Sequence, residues 1–274
     1  MWEKSCIFAT KKSRSLYKMP RPSKHTLVSD MKRLGLIGRT LRHSWSKRWF
    51  DELFAHEGIT DVCYNLYELP DIEHLREWVR AEGLAGFNVT IPYKEAVITH
   101  LDAVDPVATA IGAVNCVTVH NGHLVGHNTD APAFADTLRP HLRPWHTSAL
   151  ILGTGGASKA VDYALRQMGI KTAKVSRNPA SHPGTVSYLK AQELAATHYL
   201  IVNTTPMGMY PDMAFTPWPP PHCLSPKHLC YDLIYNPEET RFMTESKLFG
   251  AQVCNGLPML ERQAELSWSL YLTV

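Results

Sequence analysis

Ala149-Leu150-Ile151-Leu152-Gly153-Thr154-Gly155-Gly156-Ala157-Ser158 is the stretch that decides the fold. Its four leading apolar residues read as a buried strand and its glycines as a tight turn. Ala160, Val161, Ala164, Leu165 and Met168 follow at helical spacing. A strand, a glycine turn and a helix in that order make a dinucleotide-binding unit. Gly153 permits the turn, and Gly155 lets backbone approach a pyrophosphate. The helix N-terminus offers unpaired N–H groups and the positive end of its dipole. Ser158 occupies the third small position and is small enough for close helix–strand packing. A tight turn without a ligand would show the same spacing.

The next strand, Ala173–Ser176, ends in Val175-Ser176-Arg177-Asn178. An NAD-type site places Asp or Glu about 20 residues past the glycines, on the ribose 2′-OH. Here Ser176 and Arg177 stand instead. An acid would repel a 2′-phosphate, whereas a guanidinium pairs with it, so the cofactor is expected to be NADP(H). The competing reading makes Arg177 a solvated loop charge.

Outward from this unit, short apolar runs alternate with amphipathic stretches. Strands are expected at Leu34–Ile37, Val62–Tyr67, Phe87–Ile91, Val114–Val119, His123–Gly126, Tyr199–Asn203 and Leu229–Leu233. Helices are expected at Ser46–His56, at Ala157–Met168, at Thr240–Phe249, at Met259–Tyr271, and in a segment capped by Asp71 that carries Ile72, Leu75, Trp78 and Val79. Asn121-Gly122 signals a hairpin turn. Alternation of this kind means an α/β fold with largely parallel sheets. Arg139-Pro140 and Arg143-Pro144 mark a domain boundary near residues 130–148.

The chain has 274 residues, room for one large domain or two ordinary ones. A net charge of +3 does not predict a nucleic-acid binder, and no apolar run is long enough to span a bilayer. Six cysteines without a CxxC pair read as free thiols in a reducing compartment. His222, Cys223, His228 and Cys230 are metal-capable types, but their spacing fits no usual zinc pattern and no metal is expected. Residues 1–30 carry seven basic and two acidic side chains, and the remainder carries 21 basic and 23 acidic, so the excess positive charge lies in this leader. It reads as a basic, disordered extension or the product of a start placed too early, with Met31 as the true start. A transit peptide or nucleic-acid tail are the other readings.

Four polar islands fall near strand ends in the first half. They are His43-Ser44-Trp45-Ser46, Asn88-Val89-Thr90-Ile91-Pro92-Tyr93-Lys94, Gly112-Ala113-Val114-Asn115 and Gly126-His127-Asn128-Thr129-Asp130. Together they offer hydroxyls, amides, a cation and an anion, suited to a small polyhydroxylated acid. Singly, Ser46 could be an N-cap, Lys94 a solvated charge, and Asn128 and Asp130 turn residues.

With these islands, Gly153–Ala157, Asn203-Thr204-Thr205-Pro206-Met207-Gly208-Met209, Asp232…Tyr235-Asn236-Pro237…Thr240 and Asn255-Gly256-Leu257…Gln263-Ala264, the chain resembles the shikimate dehydrogenase family from Leu34 to its end. The resemblance implies NADPH-dependent reduction of 3-dehydroshikimate to shikimate on the route to chorismate and aromatic amino acids. It implies a two-domain α/β protein: a substrate-binding domain of residues 31–130 with 257–274, and a Rossmann-type NADP-binding domain of residues 131–256. It also implies a cytoplasmic monomer or homodimer whose only partners are small molecules, with neither nucleic acid nor membrane.

Carried over by motif, Lys94 and Asp130 form the catalytic pair. Ser44, Ser46 and Tyr235 hold the substrate carboxylate, and Thr90, Asn115, Asp130 and Gln263 contact its hydroxyls. Gly153, Thr154, Gly155, Gly156, Ala157, Ser176, Arg177, Asn203, Thr205, Met207 and Gly256 bind the cofactor. Whether Lys94 is an acid/base or an electrostatic clamp stays open. Lys47 replaces the family's usual proline and could aid carboxylate binding. Cys116 replaces a usual Thr, and Ser176-Arg177-Asn178 stands where many members have Asn-Arg-Thr. A quinate/shikimate dehydrogenase of broader specificity and a non-catalytic ligand-binding relative share these motifs. A methyltransferase would favour an acid where Arg177 stands.

Overall fold

Alternation between apolar strands and amphipathic helices resolves into two sheets in the computed structural model, which describes residues 31–42, 44–218 and 223–273. The basic leader, His43 and His222 lie outside the described residues.

The first unit runs β1 (Lys32–Gly38), α1 (Ser46–Glu57), β2 (Val62–Glu68), α2 (Leu75–Glu82), β3 (Leu84–Val89), β4 (Ala103–Val104), α3 (Pro106–Ile111), β5 (Cys116–His120), β6 (His123–His127) and α4 (Asp130–Leu138). Its six strands are ordered β2-β1-β3-β5-β6-β4. β2, β1 and β3 are parallel, while β5 runs antiparallel to both β3 and β6. The β5–β6 turn has positive φ at Asn121 (51°) and Gly122 (79°), as the Asn-Gly signal requires.

The second unit runs β7 (Ser148–Leu152), α5 (Gly156–Gln167), β8 (Lys171–Val175), α6 (Tyr188–Leu194), β9 (Leu200–Asn203), β10 (Leu229–Asp232), α7 (Arg241–Leu248), β11 (Gln252–Cys254) and the returning helix α8 (Leu257–Tyr271). Its parallel strands are ordered β11-β10-β9-β7-β8. Val186 adds a single parallel bridge to Val175 outside β8. Counting that bridge as a strand, the order is the Rossmann 3-2-1-4-5-6, with its third strand reduced to one residue pair. The order reverses between β7 and β9, which places the ligand crevice at their carboxyl ends.

β7 explains why the sheet forms here. Ala149 and Ile151 pack on one face and Leu150 and Leu152 on the other, all fully buried. The first face is covered by α4 and α5, through Phe134, Leu138, Val161 and Leu165, and by Met259 of α8. Further along α8, Ala264, Trp268 and Tyr271 enter the first sheet's core with Phe50 and Phe54 of α1. Phe50 stacks on Tyr64 at 4.0 Å between centroids, and truncating it to Ala should cost about 3–5 kcal/mol.

Several elements differ from the sequence reading. The helix expected after Asp71 begins only at Leu75, because Asp71 Oδ1 accepts from the Glu73 N–H and closes a turn. The third strand ends at Val89 rather than Ile91, since the Tyr93 N–H turns back to the Thr90 carbonyl. The expected boundary region begins with α4, which packs against both α5 and α8. α3 and α6 are too short to show a helical period in sequence; Asp105 and Ser187 cap them.

His146 and His228 lie in the loops that lead into β7 and β10. Each accepts a backbone N–H at Nδ1, from Arg143 and Ser225 respectively. Each donates from Nε2 to a carbonyl, of Lys227 and Ala195. Burial pushes both imidazoles below the ordinary histidine range. The unfolded chain therefore binds the more protons below its own histidine pKa of about 6.5, and stability contributed by these residues is lost as pH falls through that value. Melting temperatures at pH 7.5 and 5.5 check this. The His146→Gln/His228→Gln variant should lose less stability over that interval than the parent. Equal losses would contradict the assignment.

Candidate active site

The site is built where β3 and β6 end and β5 and α4 begin. Lys94 follows β3 and is pinned by its carbonyl, which accepts the Val114 N–H at 2.7 Å. Asp130 is the first residue of α4, where the helix dipole favours an anion. Asn128 caps this helix, its Oδ1 accepting the Ala131 N–H while its Nδ2 donates to the Ala113 carbonyl. Lys94 Nζ donates to Asp130 Oδ2 at 2.7 Å, with the side chains 17% and 7% exposed.

Asn115 completes the cluster. Its Nδ2 donates to Asp130 Oδ1 and Thr129 Oγ1, both at 2.9 Å, and its Oδ1 accepts the Thr129 N–H at 2.7 Å. The carboxylate is thus fixed through both oxygens. Gln263 of α8 brings its Oε1 to 3.5 Å from Asn115 Nδ2, at 148 residues' separation. Four of the sequence-expected residues, Lys94, Asn115, Asp130 and Gln263, therefore form one contiguous group.

Ser44, Ser46 and Tyr235 form a second corner. Ser46 is the first residue of α1 rather than its N-cap, and its N–H donates to Ser44 Oγ at 3.4 Å. Tyr235 arrives from the other sheet and hydrogen-bonds the backbone of Trp45, between the two serines; burial raises its phenol. Thr90 stands at the end of β3, its N–H on the Ile37 carbonyl and its methyl over Gly38, where a β-carbon would lie 2.6 Å away. Lys47 turns away from the two serines, with Nζ on Asp51 and the Tyr64 carbonyl, so its ammonium is committed to α1 and β2.

The glycine turn faces this group. Gly153 has φ +113° and packs on Thr204, where a β-carbon would come within 2.7 Å of Oγ1. Gly155 opens onto free space at the start of α5, room for a phosphate. A β-carbon at Gly156 would lie 3.1 Å from Lys94 Cβ, so the turn, which also carries Thr154, Gly155 and Ala157, meets the lysine at Gly156. Ser158 donates from its hydroxyl to the Gly153 carbonyl and is fully buried. Lys159 Nζ reaches Glu95 Oε2 at 2.6 Å, a second tie between the two units, made at 64 residues' separation.

Ser176 is buried and accepts from the Asn178 N–H, while exposed Arg177 borders a cavity of about 520 Å³ with Tyr188, Met207 and Trp218. Asn203 Oδ1 accepts from both the N–H and the hydroxyl of Thr205, shaping the loop that carries Met207. Its Nδ2 donates to Asp232 Oδ1. Asp232 is fully buried with Thr240, Ile234 and Asn203 as donors, and burial pushes its carboxyl up to about 6. Gly256, the N-cap of α8, lies against the Leu233 carbonyl, where a β-carbon would sit 2.0 Å away, so no other residue fits.

No acid stands at the end of β8, the glycine turn has its positive φ, and Gly155 leaves room for phosphate, so these residues fit a 2′-phosphorylated dinucleotide. Among the described residues no three His, Cys, Asp or Glu side chains gather as a metal site; Cys230 is buried in β10 and His228 is committed to backbone.

The model of the shikimate dehydrogenase substrate-binding domain matches residues 36–117. The shikimate dehydrogenase (NADP(+)) of a Bacillus cereus strain is 35% identical over 88% of this chain and 93% of its own. The chain belongs to the shikimate dehydrogenase family. Among solved members, the shikimate 5-dehydrogenase of Thermus thermophilus, in complex with NADP(H) and shikimate, superposes with a TM-score of 0.79 at 34% identity, covering 89% of this chain and 94% of that one. The quinate dehydrogenase of Corynebacterium glutamicum, in complex with NAD, gives 0.77 at 28%, covering 90% and 95%.

Gly153→Ala forces an L-residue into the left-handed region and its methyl into Thr204, a strain of about 1–3 kcal/mol. Fluorescence titration should show NADPH affinity weakened by about tenfold or more. Unchanged affinity would detach this turn from the cofactor.

Proposed function

We propose that the chain is an NADP-dependent shikimate dehydrogenase, an oxidoreductase that acts on a CH–OH group and reversibly reduces 3-dehydroshikimate to shikimate. The observation that carries this reading is the Lys94–Asp130 pair, clamped by Asn115 and lying against the glycine turn of a family member. In this reading residues 31–130 and 257–274 form the substrate-binding domain and residues 131–256 the NADP-binding domain. The enzyme is cytoplasmic, a monomer or homodimer. The described cysteines are all free thiols, and no described helix is long and apolar enough to cross a membrane.

Gly153–Ala157 would hold the pyrophosphate and Ser176 and Arg177 the 2′-phosphate, with Asn203, Thr205, Met207 and Gly256 shaping the nicotinamide side. When bound, NADPH supplies the hydride. Ser44 and Ser46 donate their hydroxyls to the substrate carboxylate, with Tyr235 beside them. Thr90, Asn115, Asp130 and Gln263 bind ring hydroxyls and so fix which carbonyl faces the cofactor.

As negative charge develops on the carbonyl oxygen, Lys94 Nζ donates to it and supplies the proton. Asp130 takes one of the three ammonium donors and leaves two for substrate. The tie from Asp130 to Asn115 keeps the lysine aimed without a rearrangement during the reaction. Closure of Gly156 onto Lys94 helps exclude water, which strengthens these interactions.

The test is NADPH oxidation with 3-dehydroshikimate, with quinate and NAD+ as the reverse-direction comparison. Turnover with the first pair supports the reading; turnover confined to quinate and NAD+ would replace it with the quinate dehydrogenase alternative. Lys94→Ala should lower kcat by about 10²-fold or more with little change in substrate KM. A variant with near-normal turnover would remove Lys94 from the chemistry. Arg177→Asp should raise KM for NADPH by about tenfold or more while sparing NADH. Equal effects on both would show that Arg177 does not read the 2′-phosphate.

A further inference from the structure

Behind the Lys94–Asp130 pair, a buried chain of polar side chains runs to the last turn of α8. Asn88 on β3 sits at its centre and uses its whole amide. Its Oδ1 accepts from the Tyr64 hydroxyl at 2.9 Å and the Tyr271 hydroxyl at 3.1 Å. Its Nδ2 donates to the Asn115 carbonyl at 3.1 Å and to Ser267 Oγ at 2.8 Å. Ser267 donates its own proton to the Gln263 carbonyl and contacts Thr129 Oγ1 at 3.2 Å. Thr129 Oγ1 in turn accepts from Asn115 Nδ2.

The amide orientations follow from groups that can play only one role. The Asn115 carbonyl only accepts, so Asn88 must present Nδ2 to it. The Thr129 N–H only donates and the Asp130 carboxylate accepts, so Asn115 must present Oδ1 to the first and Nδ2 to the second. Asn88 has no capacity left for a substrate.

We propose that Ser267 and Tyr271, acting through Asn88 and Thr129, are positioning residues that hold Asn115 and thereby set the Lys94–Asp130 pair. The proposal rests on the reading of that pair as catalytic. Two grips converge on Asn115. Asn88 holds its backbone carbonyl, and Ser267 reaches its side chain through Thr129. Gln263, Ser267 and Tyr271 lie four residues apart on one face of α8, so a single helix delivers a substrate contact and both anchors.

An independent feature serves the same approach. The Tyr271 ring lies directly on Gly86, where a β-carbon would sit 2.6 Å from Cδ1 and Cε1. A side chain at residue 86 would push the phenol off Asn88. Burial also raises the Tyr64 and Tyr271 phenols well above their ordinary range, which keeps both as neutral donors. With either hydroxyl gone, Asn88 Oδ1 keeps one donor partner and the amide is freer to turn.

Tyr271→Phe and Ser267→Ala test the proposal, with Trp268→Phe as the control. Trp268 lies on the same helix and packs on Phe54, outside the polar chain. Both test variants should lower kcat about tenfold, with KM for NADPH within about twofold of the parent. Trp268→Phe should lower the melting temperature at least as much and retain turnover. On an Asn115→Ala background, Tyr271→Phe should cause no further loss, because its effect passes through Asn115. Full turnover in both variants, or the same fractional loss with and without Asn115, overturns the proposal. If Lys94→Ala abolishes turnover while Tyr271→Phe and Ser267→Ala retain it, the relay fails and the catalytic pair stands. If Lys94→Ala retains turnover, the pair itself fails.

Discussion

The 2.7 Å contact between Lys94 Nζ and Asp130 Oδ2 is the interaction around which the molecule is organised. An ion pair this far from water costs desolvation, and it holds its geometry only when the remaining lone pairs are met. Here they are met by the Asn115 amide and by the start of α4, whose N-terminal dipole favours the carboxylate. The site therefore needs three strand ends and one helix start at a single point. That requirement accounts for the mixed sheet, in which the β5–β6 hairpin returns the chain to β3 and delivers Asn115 and Asp130 beside Lys94.

The second constraint is that this group lies against a glycine turn carried by a different sheet. α4 and α8 join the two units. α4 starts at the Asp130 carboxylate and ends in the core over β7; α8 starts against Leu233 and ends in the core of the first sheet. Small residues set the distance of approach. Gly156 lets the dinucleotide turn close on Lys94, and Gly256 lets α8 begin against the β10 loop. The two helices, rather than a flexible tether, fix how the cleft's walls face one another.

Features that depend on neighbouring residues were legible in the sequence. The strand–glycine–helix unit at 149–168 and the Asn121-Gly122 hairpin appear as their local patterns require. α4 lies where Arg139-Pro140 and Arg143-Pro144 suggest a boundary, yet both dipeptides follow its last residue, and Pro132 falls in its first turn, where it removes no helical hydrogen bond. The contact between Lys94 and Asp130 joins two of the motifs. The chain of side chains behind it was not legible, because Asn88 and Ser267 stand 179 residues apart and neither carries a local signature of a polar contact. Lys47 shows the opposite error: sequence proximity to Ser46 suggested a role in carboxylate binding, while helix geometry hands its ammonium to Asp51 four residues on.

The central claim is that Lys94 and Asp130 act as one unit. A double-mutant cycle on kcat measures this directly, using Lys94→Ala, Asp130→Asn and the double variant with 3-dehydroshikimate and NADPH. If the two groups form one device, each single change disables it and the double variant is no slower than the worse single one. If the two losses multiply, each residue acts independently and this account of the site is wrong.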